Sequence, residues 1–323
     1  MALEPRLLRI GTRASRLALW QADHVAALLR AAHPGLVVER VEIVTAGDRV
    51  LDQALSRIGD KGLFTHELED ALRTGRIDLA VHSLKDLPTT LPADLDLGAV
   101  VEREDPRDAL VSNGGRRLDE LPAGARIGTS SLRRRSQLLA QRPDLVVLDL
   151  RGNVPTRLEK VACGEADATV LARAGLMRLG LDDRIAEVLA PEVMLPAVGQ
   201  GALGVELRRQ DERVTRLLAP LDHAATRLAT AAERALLARL EGGCQVPVGA
   251  LAEIAGGRLR LRGLVADIDG SRVVREETEG VAGDATAAAR LGTALAERLL
   301  EAGASPILAK IRAAGGGIAG ACE

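Results

Sequence analysis

Four residues near the start of the chain, Arg9-Ile10-Gly11-Thr12, return as Arg126-Ile127-Gly128-Thr129. Each copy ends an apolar strand-like run, is followed by serine (Ser15; Ser130 and Ser131) and opens a helix-like pattern. Two α/β lobes of similar construction account for the echo; a chance match of four residues is the alternative. The intervening chain alternates strand and helix patterns, which implies a parallel or mixed sheet. Leu7 to Ile10, Val37 to Val44 and Ile77 to His82 read as strands. Leu19, Ala22, Ala26 and Leu29 mark one helix face, and Phe64, Leu68 and Leu72 mark another, ended by Gly75. The polar stretch from Thr45 to Gly62 reads as a loop, and Leu84 to Pro92 as a proline-punctuated one.

At 323 residues the chain exceeds what one core fills, so two or three domains are expected. Glu102 to Asp108 interrupts the apolar pattern and marks a boundary. Beyond it, strands are expected near Leu145 to Leu150 and Ala168 to Leu171. The run Gly199-x-Gly201-x-x-Gly204 has the form of a dinucleotide fingerprint, but that motif must open a helix. The residues after it, Ala202 to Leu207, alternate like a strand, so these glycines read as a flexible connection. From His223 an Ala/Leu/Arg helix runs to Glu241. Antiparallel strands with turns at Gly256-Gly257 and Asp269-Gly270 follow, then a helix from about Asp284 to Ala302. The Gly/Ala-rich tail from Ala313 reads as frayed.

Composition removes several function classes. Basic and acidic residues nearly cancel, 43 against 45, which disfavours a global field for nucleic acid or membrane. One Trp, one Phe and no Tyr leave no base-stacking surface. No apolar stretch is long enough to span a bilayer, and the first ten residues lack a signal-peptide core. Three cysteines, odd in number and widely spaced, form no zinc motif or disulfide frame. A reducing cytoplasm is the simplest compartment.

Lysine occurs four times, so arginine supplies 39 of the 43 basic residues. Several arginines gather at turns. Arg13 sits in the first strand-to-helix turn, Arg133, Arg134 and Arg135 open the helix of the second, and Arg151 and Arg157 bracket Gly152-Asn153. Helix N-termini offer free N–H groups to anions, and guanidinium forks bind carboxylates in pairs. A multi-anion site at strand ends follows, although any single arginine reads equally as a solvated surface charge. Asp86, just past a strand and beside Lys85, suits an acid, a base or a cation stabiliser, or simply a turn. His82 reads as a buried strand residue. Cys244 lies in the glycine-flanked loop Gly242-Gly243-Cys244-Gln245-Val246-Pro247, where a thiol is accessible. Cys163 follows a helix pattern and reads as core; Cys322 lies in the tail.

These motifs together resemble the porphobilinogen deaminase (hydroxymethylbilane synthase) family over about Leu8 to Ala309. The resemblance rests on Ile10-Gly11-Thr12-Arg13-x-Ser15, Lys61-Gly62-Leu63-Phe64, Val81-His82-Ser83-x-Lys85-Asp86-x-Pro88 and Gly128-Thr129-Ser130-Ser131-x-Arg133-Arg134. Arg151-Gly152-Asn153-Val154, the run Leu195 to Gly201 and Glu241 to Pro247 complete it. It implies an α/β fold of two periplasmic-binding-protein-like (type II-like) lobes plus a small C-terminal α+β domain. The lobes would be 1–101 with 202–219, and 107–195; the third domain would be 223–323. It implies a dipyrromethane cofactor on Cys244 through a thioether, onto which four porphobilinogen units are joined with loss of ammonia before water frees hydroxymethylbilane.

By the same resemblance Asp86 is the catalytic carboxylate. Arg13, Arg133, Arg134, Arg151, Arg157 and Arg178 bind carboxylates, and Ser15, Ser83, Lys85, Thr129, Ser131 and Gln200 line the cofactor or substrate sites. Phe64 stacks on a ring, and Lys61 ends a mobile lid that begins near Ala46. A monomer is expected, passing its product to the next tetrapyrrole-pathway enzyme, with no metal, nucleic acid or membrane partner. The chain departs from the family at Ala46, Asp60, Pro155 and Arg173, which affects local binding rather than Asp86 or Cys244. The rival reading is a non-catalytic anion-binding protein or regulator effector domain on the same lobes.

Overall fold

The structure is a computed structural model that describes residues 7–49, 65–240 and 246–316. Strand β1 (Leu7–Thr12), helix α1 (Arg16–Ala32) and strand β2 (Val37–Glu42) follow in order. Helix α2 (His66–Arg73), strand β3 (Leu79–Ser83) and strand β4 (Leu95–Val100) come next. The buried stripe of α1 is Ala18, Gln21, Ala22, Val25, Ala26 and Leu29. It is rotated from the expected one, with Leu19 left half-buried and a glutamine inside it.

After β4 come β5 (Asp108–Ser112), β6 (Arg126–Gly128), α3 (Leu132–Gln141) and β7 (Val146–Leu148). Then α4 (Val154–Ala162), β8 (Ala168–Ala172), α5 (Arg173–Arg178) and the short β9 (Glu187–Val188) lead to β10 (Leu203–Arg208). The strand after the Gly199/Gly201/Gly204 run is therefore β10, with Gly204 inside it, and the dinucleotide reading is excluded by the fold. A last group comprises α6 (Glu212–Leu218), α7 (Ala224–Arg239), β11 (Val248–Ala255), β12 (Arg258–Ala266), β13 (Val273–Val281), α8 (Ala285–Leu299) and α9 (Ser305–Gly316).

Two five-stranded sheets have the same plan. The first runs β2-β1-β3-β10-β4 and the second β7-β6-β8-β5-β9. In each, the strand bearing the Arg-Ile-Gly-Thr echo lies between two parallel neighbours. In each, the fourth position is an antiparallel strand: β10 returns late in the chain, and β5 directly follows the first sheet's segment. The register also matches, Ile10 facing Leu79 and Ile127 facing Ala168. The echo thus marks two sheets of one design.

One ionic device is built twice. Asp78 accepts from the Arg9 backbone N–H at 2.7 Å, and Asp167 from the Arg126 backbone N–H at 2.7 Å. Each aspartate also meets the side chain of its arginine, at 3.5 and 2.9 Å. The backbone bond returns from Asp78 to Arg9 and from Asp167 to Arg126. Each device pins a central strand, at Arg9 of β1 and at Arg126 of β6, to the residue before its parallel neighbour.

The described residues fall into two compact units. One holds those up to 104 with 201–227; the other holds those of 105–200 and from 228 onward. Within the second unit, the three-stranded sheet β11-β12-β13 packs with α7 and α8 around Leu236, Leu261 and Leu295. Buried Glu233 of α7 accepts from the N–H groups of Gly199 and Ala252 at 2.7 and 2.8 Å. It thereby ties the 195–200 segment to β11.

Two expectations are corrected here. Cys163 is exposed rather than core: α4 buries Leu158 and Val161, and Cys163 falls past its end as the C-cap. Of the tail expected to fray from Ala313, residues 313–316 are helical, because α9 is anchored by buried Ile307 and Leu308; residues 317–323 lie outside the described ones. Most of the expected lid lies outside the described residues, though one helical turn, Ala46–Arg49, begins it.

Gly128 is required by packing rather than by backbone angle. A Cβ there would lie 2.5 Å from Leu150 Cδ2 and 2.7 Å from Leu150 Cβ, and the latter cannot swing away. Gly128→Ala is expected to lower the denaturation midpoint by an amount equivalent to about 1–3 kcal/mol, the usual cost of overpacking. An unchanged midpoint would contradict this account of the turn.

Candidate functional site

In the first unit, the carboxyl end of β3 and the first turn of α1 enclose an open hollow. Arg13, Ser15, Gln21, Thr65, His82, Ser83 and Asp86 border it, over an apolar patch of Leu17, Ala18 and Val81. Ser15 is the N-cap of α1, its hydroxyl accepting from Ala18 N–H at 3.3 Å. After β3 the chain makes a single 3-10 turn, Leu84–Asp86, with Leu84 buried as its anchor. The turn leaves Asp86 exposed at the rim and Lys85 half-buried. Gln21 donates to Ser83 Oγ at 2.8 Å and orients that hydroxyl. The hollow therefore gathers Arg13, Ser15, Ser83 and Asp86 from the expected set.

Gln21 and Thr65 were not expected. A polar residue inside the apolar stripe of α1 is the signal that marks Gln21. Thr65 is buried, and its Oγ1 has no hydrogen-bond partner among the described residues.

In the second unit the arginines converge on a buried carboxylate. Asp108, at the start of β5, has no exposed surface. Arg133 Nη1 donates to its Oδ2 at 2.7 Å, and Arg134 Nη2 to its Oδ1 at 2.8 Å. Gln200 Nε2 adds a bond to Oδ1 at 3.0 Å. Burial pushes the Asp108 carboxyl up, but the Arg133 and Arg134 charges and the bonds from Arg133 and Gln200 outweigh it. The carboxyl is held well below the usual carboxylate range. Arg133 also donates to the Leu195 carbonyl at 2.7 Å.

Ser131 caps α3, and buried Thr129 receives the Ser131 N–H on its hydroxyl at 3.2 Å. Arg157 donates to the Gly152 carbonyl at 2.8 Å. Its guanidinium is pushed down to about 10, by burial first and then by the positive charges of Arg134 and Arg151. Arg151 Nη1 is buried with no hydrogen-bond partner among the described residues. Arg178 closes α5, half-buried. Arg173, one of the departures, pairs with Asp105, which Arg107 also grips. Pro155 sits in the first turn of α4, where a missing N–H costs nothing.

Lys61, Phe64 and Cys244 lie outside the described residues. Asp108 was read as part of a charged boundary. Its position directly before Ala-Leu-Val is the only local hint that it begins a buried strand.

The second unit thus carries a cationic turn cluster in which Arg151 Nη1 has no partner among the described residues, and the first an open hollow with Asp86 at its rim; both are α/β in construction. The comparisons make this specific. A family model described as "Porphobilinogen deaminase, dipyromethane cofactor binding domain" matches residues 8–216, and "Porphobilinogen deaminase, C-terminal domain" matches 227–301. Porphobilinogen deaminases of Roseiflexus sp. (strain RS-1) and Roseiflexus castenholzii are each 58% identical over 302 residues, 94% of this chain and 98% of theirs. The chain belongs to the porphobilinogen deaminase family, which sets aside the regulator-domain reading.

Asp108→Asn is expected to destabilise the fold by about 3–5 kcal/mol, because it leaves Arg133 and Arg134 buried without their counter-charge. The folded carboxyl is held below its unfolded value. Its contribution is therefore fully present above the unfolded value near pH ~4 and is lost as pH falls through the folded one. Denaturant midpoints should fall on acidification more steeply in wild type than in Asp108→Asn. Equal midpoints at neutral pH would contradict this role.

Proposed function

We propose that this chain joins four porphobilinogen molecules head to tail onto a dipyrromethane primer held by Cys244. Ammonia is released at each addition, and hydroxymethylbilane is freed by water. The single observation that carries the reading is the placement of Asp86 at the rim of the same hollow as Arg13 and Ser83. A carboxylate and an anion-binding guanidinium there match a substrate that is acidic at its periphery and becomes cationic at its ring.

The residues of the second unit fit the cofactor. Each pyrrole ring carries an acetate and a propionate, and the buried Arg151 Nη1 lacks the acceptor such a group provides. The Arg157 guanidinium is pushed down by burial first and then by the charges of Arg134 and Arg151, and an added carboxylate would offset both. Arg133, Arg134, Arg151 and Arg157, with Thr129, Ser131 and Gln200, are the residues that would hold it. When bound, the dipyrromethane supplies the nucleophilic pyrrole carbon that accepts the first unit.

In the first unit, Arg13 and the capped start of α1 bind a substrate carboxylate. The Ser83 hydroxyl, held by Gln21, and Lys85 position the substrate. Loss of ammonia leaves positive charge on the pyrrole nitrogen, and the Asp86 carboxylate stabilises it. Lys61, Phe64 and Arg178 complete the binding set as the chain grows.

We read the chain as three domains, 1–101 with 202–219, 107–195 and 223–323. We also place the enzyme in the cytoplasm as a monomer that passes its product to the next tetrapyrrole-pathway enzyme, without nucleic acid. Among the described residues no helix is long and apolar enough to cross a membrane.

Incubation with porphobilinogen should yield a product that becomes fluorescent porphyrin on acid oxidation. Asp86→Asn should fold normally yet lose on the order of a hundred- to thousand-fold in rate, by analogy with the loss of one preorganised electrostatic contact. Asp86→Glu, which keeps the charge, should retain more activity. If Asp86 only shapes the turn, Asn will serve nearly as well and Glu worse. An Asn variant as fast as Glu, at unchanged melting temperature, would sink the assignment.

A further inference from the structure

The turn between β12 and β13 is braced from several sides. Asp267 N–H donates to the Arg272 carbonyl at 2.8 Å, and Gly270 N–H to the Asp267 carbonyl at 2.9 Å. Asp269 accepts from the N–H and the hydroxyl of Ser271 at 3.0 and 2.6 Å. Lys310 of α9 reaches the Asp267 carboxylate at 2.9 Å.

At its tip the turn meets α3, the helix that opens with Arg133 and Arg134. Gly270 has a φ of +73° and lies against the helix backbone itself. A Cβ there would stand 2.7 Å from the Leu139 carbonyl carbon and 2.8 Å from the Ser136 carbonyl oxygen, and closer still to the Ala140 nitrogen. Backbone atoms cannot swing aside as a side-chain end can, so helix and turn would have to part by about 1 Å to regain ordinary contact.

At its base the turn meets the chain that leaves Cys244. Ala266 N–H, at the end of β12, donates to the Pro247 carbonyl at 3.2 Å. Pro247 is the third residue after Cys244, and that length of chain spans at most about 11 Å. A second tie runs alongside. Gln137 of α3 donates to the Leu195 carbonyl at 3.0 Å and accepts the Leu195 N–H at 2.8 Å. Leu195 in turn is buried with Leu264 and Ala266 of β12.

We propose that the β12–β13 turn is the spacer that sets Cys244 against the arginines of α3, with Gly270 as its positioning residue. A primer held covalently at one end and by its acid groups at the other tolerates little change in that spacing. Gly270 acts through α3 and not by touching the primer. The inference rests on the reading of Cys244 as the attachment point.

Gly257 supplies a matched control. It lies in the β11–β12 turn at a φ of +74°, with nothing within 4 Å of a Cβ built there. Alanine imposes the same left-handed strain at both glycines, and only Gly270→Ala presses on α3. Wild type and the two variants are synthesised in a cell-free mixture lacking porphobilinogen, then given porphobilinogen below their melting temperatures and followed by intact mass. Wild type and Gly257→Ala should gain pyrrole units at the same rate. Gly270→Ala should gain them on the order of a hundred-fold more slowly, as for other small misplacements of a reacting group. If Gly270→Ala loads as fast as Gly257→Ala, whatever its melting temperature, the turn is only a packing contact and the proposal is wrong. If wild type gains no mass, the Cys244 reading fails and the spacer with it. Should Gly270→Ala not fold, hydrogen exchange decides. Loss of the primer in Cys244→Ala should speed exchange at the amides of 267–272 relative to loaded wild type, and leave Gly256 and Gly257 unchanged, because coupling between two sites is reciprocal. Unchanged exchange at 267–272 would overturn the proposal.

Discussion

Asp108 is the charge on which the cationic half of the molecule depends. Two guanidinium groups and an amide meet a carboxylate that has no contact with water. Left without that carboxylate, Arg133 and Arg134 would be positive charges buried at one strand end, and the turn after β6 would not pack. With it, their charge is neutralised locally, while Arg151 and Arg157, beyond the next strand β7, keep an excess of positive character. The internal salt bridge lets arginines crowd at this strand end, which is what the proposed binding of acidic ligands there requires.

The same scaffold is used twice for unlike purposes. Both sheets place a strand-Gly-Thr turn before a serine-capped helix, and both clamp that strand with an aspartate one strand over. In the first unit the turn contributes one arginine, and the 3-10 turn after the neighbouring strand β3 presents Asp86 at the rim of the same hollow. In the second, the equivalent turn contributes two arginines and the neighbouring strand end contributes no carboxylate to it; the aspartate there comes from the antiparallel β5. The carboxylate past the exit of β3 stands exposed, where the proposed function has it meet positive charge on a substrate, whereas the one at the buried entry of β5 holds positive charge in the protein.

Much of this is legible in the sequence itself. The Arg-Ile-Gly-Thr echo, the serine caps and the strand after Gly204 depend on local spacing and turn chemistry, which a single sequence displays. What was hidden depends on register or on distant packing. Asp108 reads in the sequence as the end of a charged boundary because its partners stand 25 and 26 residues away. Glu206 and His82 meet across 124 residues, and only the β3–β10 register reveals it. Cys163 continues a helical spacing in the sequence, but the helix ends at Ala162 and leaves it exposed as the cap. The tail helix was missed because Ile307 and Leu308, not its Gly/Ala composition, decide its fate. Cys244, Lys61 and Phe64 are argued from motif alone.

The central claim is that the acid-binding arginines serve a primer covalently fixed to this chain. Intact mass spectrometry of the purified, active enzyme addresses it most directly. The account predicts a mass above that of the sequence by two pyrrole units, and Cys244→Ala should abolish both the excess and the activity. An active enzyme at the bare sequence mass would contradict it.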